Sequence, residues 1–295
     1  MGKIKILKIF SFSLLLFFFI LFFSLSIFLI KNVSFNPLKY ALFNINKTLC
    51  SIKCLGEGTA IPLMIEGLRF FVLSIFLVFF TLSLFKTLKK LYITDKFVRD
   101  IETGAKTILK FGIKIKVFSH ELPLAFTAGF FKPDIYISSH LFNLLEEKEL
   151  KGIILHEVQH KKNLDPLKNL IISFISDSIS FVPIAKFFKK LYAVCTEILA
   201  DQNCISSGLK KEELALSFLK VCKIGKMEYS WFFKEPFERI KFLFGEKIKI
   251  IPSFKKFLVS IIFAVALIIV IFVPNNEGKL SSFLHHSHVC SYHSK

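Results

Sequence analysis

The segment Leu155–His160, reading L-H-E-V-Q-H, gathers the side-chain types that metal-assisted hydrolysis needs. His156 and His160 stand four apart, so on a helix both imidazoles leave one face and can grip one metal ion. Glu157, between them, is placed to take a proton from a water that such a metal acidifies. The surroundings favour a helix. From Glu146 to His160 Gly152 is the one Gly or Pro, and Leu150, Ile153, Ile154 and Val158 form an apolar stripe. A zinc hydrolase takes three protein ligands and leaves a fourth position to water. Glu197 is the candidate third ligand, and Asp201, one helical turn on, would accept the N–H of a ligating histidine and fix its tautomer. One Zn2+ per chain is therefore the expected cofactor. The competing reading of the motif is two solvated histidines on an amphipathic helix; a later E-x-x-x-D in the right order along the chain weighs against it.

The elements that must hold these residues are membrane-like in composition. Phe occurs 38 times, 53% of residues are hydrophobic and the mean hydropathy is +0.58. The formal charge of +18 comes mostly from lysines spread along the chain, with three Arg and one Trp. That pattern fits flanks facing anionic lipid and excludes an arginine-rich base-reading surface, so the expected partners are the bilayer and a protein substrate, with no nucleic acid. Ile9 to Ile30 is long enough to cross a bilayer, follows Lys3, Lys5 and Lys8, and lacks a small-x-small cleavage site, which predicts an uncleaved first span. Ile61 to Phe85 is the second span; Lys86, Lys89 and Lys90 put its end inside. The expected organisation is a transmembrane hairpin over 1–85 (spans about 9–30 and 61–85) and a cytoplasmic or membrane-surface peptidase domain over 86–255. A last span over 256–273 and a short extracytoplasmic His-rich tail over 274–295 complete it. The location is the cell membrane, multi-pass, with the amino terminus and zinc domain inside. Cys50 and Cys54 in the outer connection could pair or stay as thiols, and the tail could chelate metal or be a disordered terminus.

Between the spans, Thr94 to Phe111 reads as an amphipathic helix ending near Gly112. Ile113, Ile115 and Val117 alternate with lysines as in a strand, and Ala125–Phe131 and Ile135–Ile137 continue as short β pieces. A short helix over about 139–145 leads into the motif helix. Asp165-Pro166 signals a helix start, Asp at the N-cap and Pro at the first helical position. Leu167 to Phe181 admits three readings: a buried helix, an interfacial helix, or part of a membrane hairpin. Pro183 opens a long helix to about Ser206, carrying Glu197 and Asp201, and Lys211 to Cys222 is helical.

Three stretches carry a family resemblance: A-F-T-A-G-F-F-K-P-D-I-Y-I-S (Ala125–Ser138), K-E-L-K-G-I-I-L-H-E-V-Q-H-K-K-N-L-D-P-L (Lys148–Leu167) and E-I-L-A-D (Glu197–Asp201). Over about residues 85 to 245 the chain resembles the BlaR/MecR-type membrane gluzincins, the peptidase family that includes β-lactam sensor-transducers. The resemblance implies that His156, His160 and Glu197 bind zinc, that Glu157 is the general base, and that Asp201 and Asp165 stand behind the ligands. It implies a mainly α membrane protein, with a zincin-like α+β metallopeptidase domain (short β-sheet plus H-E-x-x-H helix) inserted between transmembrane helices. In related membrane zinc proteases substrate lies extended along the strand before the motif helix, which would put a substrate edge within Ala128–Ile137, with Ala128, Gly129, Phe130 and Phe131 as candidates. Where related proteases carry His-Pro before Arg-Ile, this chain reads Glu235-Pro236 and then Arg239-Ile240; Arg239 either steadies an oxyanion or pairs with Glu235 or Glu238, pairing being the expectation. The sensor-transducers carry a penicillin-binding domain after their last span and this sequence ends about twenty residues past its own, so β-lactam sensing is not expected. The expected function is membrane-embedded zinc endopeptidase activity on cytoplasmic or juxtamembrane proteins, for signalling or quality control. The alternative is a non-catalytic signal transducer or metal sensor retaining a structural zinc fold.

Overall fold

A computed structural model describes residues 2–32, 60–224, 236–246 and 254–272. Cys50, Cys54, Glu235 and the His-rich tail lie outside them. Helices α1 (Gly2–Asn32) and α2 (Ala60–Glu102) grow from the two long apolar runs, and Gly2–Ser24 and Phe71–Glu102 are long and apolar enough to cross a membrane. The protein divides into two compact units, Met1–Phe19 with Phe79–Phe257 and Ile20–Val78 with Leu258–Lys295. In the second, the Phe22 ring stacks on Phe76 at 6.1 Å and on Phe263 at 6.2 Å. The first holds every residue of the candidate site.

The first unit is built on a four-stranded mixed sheet of β1 (Lys106–Lys110), β2 (Ile113–Phe118), β3 (Ala125–Ala128) and β4 (Asp134–Ser138), in the order β1-β2-β4-β3. β2 and β4 are parallel, and the other two pairings are antiparallel. The helix expected over 94–111 is corrected here: it ends at Glu102, and Lys106–Lys110 is a strand. Lys110 pairs with Ile113, so the connection is a two-residue turn, and both of its residues, Phe111 (φ 52°) and Gly112 (φ 74°), are left-handed. Such a turn matches the twist of a hairpin.

Period-two alternation sorts the strands between two cores. Ile115, Ile135 and Ile137 face Leu150, Ile153 and Ile154 of α4 (Glu147–Lys162) and Leu214 and Phe218 of α7 (Lys211–Ile224). Tyr136 and Phe126, stacked at 5.3 Å, face the other way with Phe118, toward Val98 and Ile101 of α2. Each such side chain contributes about 1.5–3 kcal/mol on burial. The helix α3 (Ser139–Leu144) is capped by the Ser138 hydroxyl, which accepts from Leu141 N–H at 3.2 Å.

Helix α4 opens on a capping box between Glu146 and Glu149 and closes on Lys161 and Lys162, charges that suit its dipole. The segment after the motif helix forms α5 (Asp165–Ser178), with Ile172 and Ile175 buried and Phe174 set against Phe19 and Phe80. The long α6 (Ala185–Ser206) ends before Gly208 at φ 93°. Short α8 (Pro236–Leu243) and apolar α9 (Phe254–Phe272) follow.

Candidate metal centre

The donor atoms of His156, His160 and Glu197 lie within 4.8 Å of one another. Nε2 of His156 is 3.0 Å from Nε2 of His160 and 3.4 Å from Glu197 Oε2, and His160 Nε2 is 3.8 Å from the same oxygen. Tetrahedral ligands at 2.0–2.1 Å from a metal stand about 3.3 Å apart, a value these separations bracket. The three residues present therefore fit a tetrahedral ion in size and donor type. Helix α4 supplies both histidines from one face, and α6 crosses it to bring Glu197 opposite.

The far side of each imidazole is held by a buried carboxylate. Asp201 Oδ1 is 2.9 Å from His156 Nδ1, and Asp165 Oδ2 is 2.8 Å from His160 Nδ1. The two aspartates are 1% and 2% exposed at their side chains, so each takes an N–H with little competition from water. In the neutral ring, each carboxylate selects the tautomer with its proton on Nδ1, which would leave Nε2 to a metal. The expected N-cap role of Asp165 is corrected: the cap is Leu164, at φ 52° with no side-chain bond, and Asp165 is already helical. A left-handed leucine costs about 1 kcal/mol or more, offset here by the carboxylate's approach to His160.

Arg239 closes the centre from α8. Its Nε donates to Asp201 Oδ2 at 2.9 Å and its Nη2 to Oδ1 at 2.5 Å, while Nη1 lies 3.3 Å from Glu197 Oε2. The guanidinium also sits 4.1 Å over the Phe218 ring. Arg239 thus pairs with carboxylates, as expected, and among the described side chains they are Asp201 and Glu197 of α6; the Glu235 and Glu238 side chains lie outside those described. Burial opposes ionisation of Glu197, yet His160, His156 and Arg239 outweigh it and hold the carboxyl well below its ordinary range. Asp201 is held low in the same way, chiefly by Arg239 against burial. Burial and the Arg239 charge push His156 down, but its bonds to Asp201, Cys204 and Glu197 prevail and hold it well above its usual value.

Glu157 is buried beside the histidines, and its Oε2 accepts a hydrogen bond from Thr127 Oγ1 at 2.8 Å. Thr127 lies in β3, one of the sheet's two edge strands, and its oxygen is also 2.9 Å from the Glu157 carbonyl. Of the four substrate-edge candidates, Ala128 is the last residue of β3, whereas Gly129 (φ 103°), Phe130 and Phe131 form the connection to β4. The strand over Ile135–Ile137 is interior, paired on both sides, so on this side of the sheet the edge is Ala125–Ala128, β1 being the other edge. A Cβ on Gly129 would stand 2.8 Å from the Lys132 carbonyl, which reserves this tight connection for glycine. Thr127 escaped sequence reasoning because a lone threonine in a strand carries no spacing signal. Lys8, whose Nζ is 3.5 Å from Asp165 Oδ1, escaped it because a lysine before an apolar run reads as a membrane flank.

A family model described as BlaR1 peptidase M56 matches residues 58–235, more than half of the chain and all of the centre except Arg239. The chain is also similar to Regulatory protein BlaR1 of Staphylococcus aureus, at 34% identity over 90 residues. That match covers 30% of this chain and 15% of the relative's length.

Proposed function

The chain belongs to the BlaR1-type M56 peptidase family, and from that premise we propose that it is a membrane-embedded zinc endopeptidase with a zincin-like catalytic domain. Its substrates on this reading are cytoplasmic or juxtamembrane proteins, cut for signalling or quality control. The observation that carries the proposal is an N–N–O donor triangle together with a buried glutamate, Glu157, next to His156 in the chain and held by Thr127. A purely structural metal site needs the triangle and has no use for the base.

His156, His160 and Glu197 would hold the zinc, an ion that such mixed nitrogen and oxygen donors suit. When bound, it supplies Lewis acidity to a substrate carbonyl and to water. The rest falls to the chain. Glu157 takes the proton from water and delivers it to the departing amine, a general-base contribution of about 10²–10⁴-fold. Asp201 and Asp165 hold the two imidazoles in register. Arg239 keeps Asp201 and Glu197 ionised and in place; with Nε, Nη1 and Nη2 all engaged by them, we assign it to anchoring in preference to an oxyanion. The edge β3 can take an extended substrate by main-chain pairing, which tolerates many sequences.

Glu157→Gln separates catalysis from metal binding. Zinc content of the purified chain should be unchanged while cleavage of an unfolded membrane-anchored substrate falls at least about 100-fold. Equal cleavage by the two forms would overturn the catalytic assignment and leave the non-catalytic transducer.

A further inference from the structure

We propose that helix α1 is part of the metal centre: Lys8 is a positioning residue that acts on His160 through Asp165. This rests on the metal-centre reading above, and it concerns a segment that precedes the family match, which begins at residue 58.

Asp165 has two carboxylate oxygens to satisfy in a place only 2% exposed. Oδ2 receives His160 Nδ1 at 2.8 Å, and Oδ1 faces Lys8 Nζ at 3.5 Å. A buried carboxylate with one oxygen unmatched turns toward whatever donor it can reach, and a turn here would release the His160 ring. Lys8 holds the second oxygen on the side away from the imidazole, so the first stays aimed at Nδ1. The contact is long for a hydrogen bond, but the charge pair is shielded: the Lys8 side chain is 13% exposed and its ammonium stands 4.8 Å from the Tyr192 ring centroid.

Nor is Lys8 a loose arm that happens to lie there. Phe10 meets Phe188 edge-on at 6.2 Å, Phe12 meets Tyr192 at 6.4 Å, and Phe19 meets Phe174 at 5.9 Å, so α1 is seated along both α6 and α5. Ser11 and Leu15, three and seven residues on from Lys8 along α1, are fully buried. Tyr192 lies on the helix that carries Glu197, and Phe174 on the helix that begins with Asp165. Any shift of α1 that withdraws Lys8 therefore changes the setting of His160, and metal affinity reports the position of the first apolar helix.

The test uses the full chain in lipid nanodiscs, with zinc affinity measured by chelator competition and Co2+ absorption as a second readout of ligand geometry. Lys8→Met, which keeps most of the stem, should weaken binding about threefold to tenfold, below the 10- to 100-fold typical for losing a residue that orients a ligand. Lys8→Arg should restore affinity and the cobalt spectrum. In an Asp165→Asn background Lys8→Met should add nothing, because the path is already cut. Unchanged affinity in Lys8→Met would overturn the inference, and so would an equal loss with and without Asp165, which marks a packing effect. Failure of the unmutated chain to bind zinc or cobalt would instead sink the metal-centre reading itself.

Discussion

Asp201 and Asp165 perform one task for two histidines, yet their own supports differ. Asp201 is gripped by two nitrogens of Arg239, whereas Asp165 relies on one lysine. Asp201→Asn should lower zinc affinity about 10- to 100-fold, measured by chelator competition, since the amide cannot fix the His156 tautomer as a carboxylate does. Arg239→Met is expected to act on the fold as well. It takes the guanidinium from buried Asp201, leaving it His156 alone, and loss of one partner from a buried pair costs about 3–5 kcal/mol, read as a drop in the unfolding midpoint of the metal-free chain. Thr127 touches the base directly, so its removal should spare metal and substrate binding. Thr127→Val should retain zinc and KM while kcat falls about tenfold, and Thr127→Ser should recover it. A raised KM with normal kcat would assign Thr127 to the substrate edge alone.

At the scale of elements, legibility followed the strength of local patterns. The motif helix, the α6 helix with its E-x-x-x-D and the alternating β2 all stand where their periodicity put them, because burial of one face dictates both pattern and structure. The β1–β2 hairpin was hidden, since its turn is Phe111-Gly112 in place of the usual Asn-Gly or Asp-Gly, and Lys106–Lys110 offers too few apolar positions to mark a strand. Asp165 was misplaced by one residue because a good capping sequence met a stronger demand, the need for a carboxylate at His160. The contacts of Arg239 with Asp201 and Glu197 were beyond local sequence patterns, since both partners among the described residues are 38 residues or more away. A second clamp on α4 is electrostatic. Lys161, next to His160, and Lys116 of β2 both meet Asp134 at the start of β4, at 2.9 and 3.0 Å. Burial works against that carboxyl, but the two lysines outweigh it and lower its pKa. A lowered carboxyl pKa stabilises the fold above the unfolded value near 4, and the gain is lost as pH falls through the folded value. The half-exposed setting limits it to about 1 kcal/mol or less. The metal-free chain should therefore lose stability below about pH 4, and Asp134→Asn should flatten that slope in thermal melts.

For the whole molecule, the membrane sets the constraint. Ile9, Phe10 and Phe17 on α1, and Leu82, Leu84 and Phe85 on α2, are all exposed large apolar side chains in the unit that contains the metal centre. A water-soluble surface does not sustain so much apolar area in long rows, whereas lipid covers it at no cost. Beyond these rows come Lys3 and Lys5 on one helix and Lys86, Lys89 and Lys90 on the other, all five on the exposed side. On the proposed membrane-embedded reading, the positive-inside rule would put the amino terminus, the end of the second apolar run and the metal centre on one side, the cytoplasm. Single cysteines at Lys3 and Lys89, in a chain whose native cysteines are replaced by serine or alanine, test this. Neither should react with a membrane-impermeant maleimide in intact cells, and both should react once the membrane is opened. Labelling at Lys3 alone in intact cells would break the hairpin, and would be incompatible with the contacts that seat Lys8 against Asp165 and Phe10 against Phe188.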